Sequence, residues 1–193
     1  MPNPTPTDEE LIERARRGER DAFGVLVERY EAKVAATVVG MLGRGADADD
    51  VGQETFIRFF GALDSFRGES SVGTYLTRIA INQSLKAIRR RRTWSERFLS
   101  RDGDREIDHP TVHGSVAIDE RERATLVQRA LTTLAPEHRA IVVLRVMEGY
   151  STKETAEMLG VPQGTVMSRL SRALEKLEPH LAELNPKIDG ELQ

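Results

Sequence analysis

The sequence predicts an all-α protein: two small helical domains joined by a flexible linker, the second ending in a helix-turn-helix. Three observations predict it. Apolar residues recur at helical spacing along most of the 193 residues and nowhere sustain the alternation of a strand. Residues 93–116 lose that pattern and are broken by Gly103, Pro110 and Gly114, a stretch too long for an ordinary loop inside one compact body. Ser151 to Leu177 sets a capped short helix, a tight glycine-containing turn and a longer amphipathic helix in the order of a DNA-reading pair.

The first domain is expected over 8–92. Asp8 reads as the cap of a short helix with Leu11, Ile12 and Ala15 on one face, ending at Gly18. A second helix from near Asp21 carries Phe23, Leu26, Val27, Tyr30, Val34, Val38 and Leu42 on one buried face, and Gly43 and Gly45 end it. Asp47 or Asp49 caps a third helix, whose apolar positions are Val51, Phe56, Phe59, Phe60 and Leu63. Phe66 to Ser71 reads as a loop. A fourth helix buries Val72, Tyr75, Leu76, Ile79, Ala80 and Leu85 and ends in the run Arg89 to Arg92, where cations suit the helix dipole.

The linker is expected over 93–116, with one short helix around Trp94 to Leu99, and the second domain over 117–184. Its first helix carries Leu126, Val127, Ala130, Leu131 and Leu134. Pro136 opens the next at a first helical position, and Gly149 closes it. Ser151 and Glu154 stand at capping-box spacing. In the last helix Val166, Leu170, Leu174 and Leu177 form the buried stripe, and the tail beyond Pro186 is expected to fray.

Charge is distributed unevenly. The formal net charge is -3, yet Tyr75 to Arg92 holds six basic and no acidic side chains, while Asp8 to Glu69 holds 14 acidic against 9 basic. Arg78, Lys86 and Arg89 to Arg92 are phosphate-neutralising groups, with Asn82, Gln83 and Ser84 interleaved as base-reading candidates. Tyr75 and Trp94 offer flat faces to unstacked bases, and both serve equally as packing residues. On the last helix Gln163, Thr165, Ser168, Arg169 and Arg172 face solvent near its start, where arginine pairs with guanine edges or phosphates. Ser151 to Leu181 balances four basic with four acidic side chains, so this module gains little from counterion release and needs a second DNA contact or a partner protein.

Other chemistries find no support. The chain has no cysteine, which excludes disulfides and thiolate metal sites. A calcium loop begun at Asp47 would place Val51 fifth and Arg58 twelfth, where a carboxylate is required. The histidines at 109, 113, 138 and 180 are scattered. No phosphate-cradling glycine loop or nucleophilic triad order occurs. No catalytic residue, cofactor or metal is expected. Residues 1–7 lack the basic and apolar segments of a signal peptide, and no apolar run would span a bilayer, so a cytoplasmic protein is expected.

These residues carry a resemblance. Ala46 to Phe56, then Phe66 to Ser70 with Thr74 to Ala80 and Asn82, then Leu134 to Arg139 and Ser151 to Leu177, occur in an order that resembles bacterial RNA polymerase sigma factors of the sigma-70 superfamily, in the extracytoplasmic-function (ECF) group. The resemblance implies a promoter-recognition and DNA-melting factor with no enzymatic activity of its own. It implies docking on core polymerase through Asp50, Gln53, Glu54 and Phe56. It implies reading of the -10 element by Arg67, Ser70, Arg78, Asn82, Lys86 and Arg89, and of the -35 element by Gln163, Thr165, Ser168, Arg169 and Arg172. An anti-sigma protein is a further partner of the kind it implies. Met167 stands where many relatives carry a basic residue. Val72 and Gly73 replace a larger apolar and a polar or basic residue, and Tyr75 replaces a frequent tryptophan. Two other readings stay open on the residues alone: a stand-alone dimeric helix-turn-helix regulator, and a protein-binding adaptor.

Overall fold

The computed structural model describes residues 5–99 and 120–182, and among them every regular element is helical. Most of the expected linker, 100–116, and the tail beyond Pro186 lie outside the described residues. The helices are α1 (Asp8–Arg16), α2 (Arg20–Leu42), α3 (Ala46–Ala62), α4 (Val72–Leu99), α5 (Glu120–Thr132), α6 (Pro136–Val142), α7 (Thr152–Leu159) and α8 (Gln163–Ala182). A short 3-10 turn, Leu63–Ser65, follows α3, and a π turn, Val143–Met147, extends α6.

Helices α1 to α4 enclose the first core, with Leu11, Leu26, Val34, Val38, Phe59 and Leu76 among its most buried side chains. The cap of α1 is Thr7 rather than Asp8: its hydroxyl accepts from Glu10 N–H and Glu10 answers with a bond from Thr7 N–H. Asp8 is drawn instead to Arg29 and the Tyr30 hydroxyl on α2. Burial first, and then this carboxylate, push the Tyr30 phenol up to about 12. Helix α3 starts from Gly45, with Asp47 and Asp49 in its first turn, where they oppose the positive end of the dipole rather than cap it.

The second domain has its own core. Ala130, Leu131, Leu134, Val142, Ala173 and Leu177 form one part, and Ile141, Ala156 and Val166 form the other. Pro136 opens α6 as expected, and Ser151 and Glu154 form a complete capping box on α7. Replacing Ser151 by alanine orphans the Glu154 amide and is expected to cost about 1 kcal/mol, measured by urea unfolding. An unchanged midpoint would show that water satisfies that amide equally well.

Two sequence expectations change here. Helix α4 does not stop at the arginine run but continues to Leu99, and absorbs the short helix expected around Trp94. On α8 the buried stripe is Val166, Ala173 and Leu177; Leu170 is half-buried and Leu174 is 43% exposed. Spacing by fours carried the predicted stripe from Leu170 to Leu174, but the three-residue step to Ala173 is the one that faces α5 and α6.

The two domains also pack on each other. Met41, Ile81 and Leu85 of the first meet Ala140, Val143, Leu144, Tyr150 and Met158 of the second. Helices α2 and α4 therefore bury two faces each, which is why Thr37, Gly40, Thr77 and Ser84 are buried although they lie off the expected apolar stripes. Each half nevertheless retains a separate core.

Candidate nucleic-acid interface

The loop between α3 and α4 is fixed from three sides. Arg16 of α1 donates from Nε to the Leu63 carbonyl at 3.0 Å and from a terminal nitrogen to the Phe66 carbonyl. Phe66 and Tyr75 bracket the loop and meet edge to face, with ring centroids 5.1 Å apart. Both lean on Phe59, each with centroids 5.9 Å away. Tyr75 thus packs against the core while staying half-buried. At the start of α4 the Ser71 hydroxyl accepts from Thr74 N–H at 3.1 Å. A side chain at Gly73 would put its Cβ 3.1 Å from Tyr30, so glycine there lets α4 approach α2 closely.

From this anchored start α4 presents one solvent stripe. Arg78, Asn82, Lys86 and Arg89 are all exposed and recur at three and four, so they share a face. Arg78 lies over the Tyr75 ring, 5.2 Å from its centroid, which orients the guanidinium beside the loop. Arg67 is exposed and Ser70 half-buried in the loop itself. Ser84, grouped with the base readers above, is fully buried. Trp94 stands on the distal part of α4 and is 65% exposed.

Helix α3 shows a different surface. Asp50 and Gln53 are exposed, Glu54 is half-buried and pairs with Arg58 at 2.7 Å, and Phe56 is half-buried against the core. Ile57 and Phe60 are 64% and 52% exposed, a pair of large apolar side chains that the docking set omitted. The alternation of Phe59 with Phe60 concealed this, because both fit a helical core pattern and only one can face inward.

In the second domain the chain turns at Gly160, in a left-handed conformation, and enters α8. Ala156 packs against Val166, holding the two helices close. Gln163, Met167, Ser168 and Arg172 are exposed, while Thr165 and Arg169 are half-buried. The α8 set is therefore presented together at one helix start. Across the domain boundary a cleft of about 400 Å³ has Ser70, Ser71, Thr74 and Arg78 on one wall and Glu154, Glu157 and Met158 of α7 on the other.

Arg139 is a residue that pattern reading did not single out for a role. It is 8% exposed and donates to the Met41 carbonyl at 2.6 Å, the Thr132 carbonyl at 2.8 Å and the Leu134 carbonyl at 3.2 Å. Burial pulls its pKa below the usual guanidinium range. Lys33 and Glu148 form a second inter-domain contact at 2.7 Å. The Thr37 hydroxyl, 2.9 Å from Glu148 and 3.0 Å from the Lys33 carbonyl, joins them. Burial works against the Lys33 charge, but the Glu148 carboxylate and then Tyr150 outweigh it and raise the pKa. Partners 115 positions apart leave no local signal in a sequence.

An exposed basic helix beside an anchored loop in one domain, and a helix-turn-helix in the other, define a two-module DNA-binding protein. The comparisons with known proteins narrow this. The Sigma-70 region 2 family matches residues 26–93 and the Sigma-70, region 4 family matches residues 124–177. The ECF RNA polymerase sigma-E factor of Haemophilus influenzae (strain ATCC 51907 / DSM 11121 / KW20 / Rd) is 35% identical over 92% of this chain and 97% of its own. That of Escherichia coli (strain K12) is 38% identical over 89% of this chain and 93% of its own. Among solved structures, CnrH in complex with the cytosolic domain of CnrY aligns with a TM-score of 0.65 at 28% identity, over 91% of this chain and 97% of that one. The sigma factor RpoE in complex with the anti-sigma factor NepR from Bartonella quintana shares the fold, with a TM-score of 0.64 at 23% identity over 86% and 98% of the two chains. The chain belongs to the ECF sigma factors of the sigma-70 superfamily and is a promoter-directing transcription initiation factor. Among the described residues no helix is long and apolar enough to cross a membrane.

Proposed function

We propose that the chain divides its task by domain: residues 8–92 dock on core polymerase and read and melt the -10 element, and residues 117–184 read the -35 element. The observation that carries this is the exposed stripe of Arg78, Asn82, Lys86 and Arg89 running away from a loop pinned by Arg16, Phe66 and Tyr75. A loop held this firmly receives a base extruded from the duplex without ordering itself first, and extrusion costs a few kcal/mol, least at weak A·T steps. Arg67 and Ser70 sit in the loop, and the basic stripe tracks the backbone beyond it.

Helix α3 offers the polymerase a mixed surface. Asp50 and Gln53 supply polar contacts, Glu54 and its partner Arg58 supply charge, and the exposed Ile57 and Phe60 add apolar area beside the half-buried Phe56. In α8, Gln163, Thr165, Ser168, Arg169 and Arg172 contact the -35 duplex, with the arginines on guanine edges or phosphates. The protein acts without catalytic residues of its own, in the cytoplasm, and an anti-sigma protein covers its polymerase-facing surfaces when it is idle. The sigma factor RpoE is solved in complex with the anti-sigma factor NepR, which supports a partner of that class.

The test is transcription by core polymerase plus this chain across a genomic template library, followed by sequencing of the start sites. Absence of promoter-specific initiation would overturn the reading. Replacing Arg169 or Arg172 by alanine is expected to weaken holoenzyme binding to a selected promoter by about 1–3 kcal/mol each if they read base edges. A uniform loss on all sequences, with a shallower salt dependence, would reassign them to phosphate.

A further inference from the structure

We infer that Met167 is a specificity-determining residue of the -35 contact, reading the C5-methyl group of one thymine by apolar contact in the major groove. This rests on the reading of α8 as the helix that contacts the -35 duplex.

Met167 is the fifth residue of α8, in the part of a recognition helix that faces base edges. It is 64% exposed, and among the described residues it belongs to no core cluster. Its neighbour Val166 is fully buried against Ile141 and Ala156, so α8 is seated without any help from Met167. Gln163 and Ser171, both exposed, share its side of the helix at four-residue spacing. From Gln163 to Leu174 there is no acidic side chain, while Arg169 and Arg172 supply positive charge. The first carboxylate, Glu175, accepts from the Ser171 hydroxyl at 3.0 Å. This surround suits a polyanion, and it places a large apolar side chain in the middle of the face that meets it.

Neighbouring side chains leave Met167 room. The Ser168 hydroxyl turns back to the Thr165 carbonyl at 3.2 Å. A Cβ at Gly164 would meet nothing within 4 Å, so glycine there answers no crowding inside the protein. It leaves the first turn of α8 slim where a duplex approaches. An unbranched thioether then has the length and freedom to follow the groove.

The chemistry selects the base. On the major-groove edges the thymine methyl is the one apolar feature, and every other group is a donor or an acceptor. Methionine has no donor and only a weak acceptor, so at the same place a cytosine amino group or a purine edge would lose its water without gaining a partner. Met167 therefore favours thymine by contact and rejects the other bases by desolvation.

The test uses holoenzyme assembled from core polymerase and the full chain, on a promoter fragment that the parent holoenzyme has selected and footprinted. Each thymine of the protected -35 region, on either strand, is replaced in turn by deoxyuridine, which removes only the methyl group. At one position the parent should lose binding about fourfold, the worth of one buried methyl. Met167→Ala should bind the thymine and deoxyuridine templates alike, and Met167→Leu should restore the difference. Both variants replace an exposed side chain with a good helix former, so both fold. No sensitive thymine, or a Met167→Ala chain that still distinguishes deoxyuridine, would overturn the inference. So would a Met167→Ala chain that binds core polymerase more weakly in the absence of DNA, because Met167 would then face protein. A holoenzyme that initiates from this promoter with no protection of a -35 region would instead overturn the assignment of α8, and the role of Met167 with it.

Discussion

Replacing Arg139 by alanine is expected to remove about 3 kcal/mol or more of folding free energy, the sum of three charge-assisted bonds and the desolvation of the carbonyls left behind. The reason is where those carbonyls sit. Met41 O belongs to the last turn of α2, and Thr132 O and Leu134 O lie at and just beyond the end of α5. Helix C-termini concentrate partial negative charge and leave carbonyls unpaired. One planar guanidinium satisfies both ends at once and so ties the two domains together as well as the second domain to itself. Lysine at 139 should recover little, because a single ammonium cannot serve three acceptors held in a fork. Urea unfolding of the full chain measures this. A loss below about 1 kcal/mol would mean that water replaces the guanidinium and that Arg139 holds nothing together.

Replacing Phe59 by alanine is expected to cost about 3–5 kcal/mol and to depress promoter melting, although Phe59 is fully buried and is placed against no DNA. Its ring is the shared support of Phe23, Phe66 and Tyr75, at centroid distances of 6.0, 5.9 and 5.9 Å. Two of those three rings bracket the loop assigned to the -10 element. Removing the support leaves a cavity that loosens the loop before it unfolds the domain. Phe60→Ala is the matched control. Phe60 is 52% exposed and touches Phe23 edge to face at 4.9 Å, so it should cost only about 1 kcal/mol of stability while weakening polymerase binding. Thermal unfolding, polymerase affinity and open-complex formation separate the two variants. A Phe59→Ala chain that melts promoters normally at a temperature where it is folded would detach the loop from this cluster.

Much of the architecture was readable in the chain because it is set by neighbours. Pro136 at the first position of α6, the Ser151–Glu154 capping box and the alignment of Arg78, Asn82, Lys86 and Arg89 all depend on residues within a few turns. Errors came where a local rule allowed two answers. Thr7 and Asp8 both suit a cap, and the site went to the one whose third neighbour, Glu10, could reply. Phe59 and Phe60 both suit a core and both reach Phe23, and only packing against Phe66 and Tyr75 chose between them.

The sequence by itself determined the helical class, because periodicity and caps are properties of short segments, and the order of its motifs carried the resemblance to the ECF sigma factors that the comparisons bear out. Only the tertiary structure decided that α2 and α4 carry a second buried face, that Arg139 joins two helix ends, and that α7 stands over the α3–α4 loop. Those facts depend on pairs such as Lys33 and Glu148, separated by 115 positions, and no local preference encodes which distant surface a helix will meet.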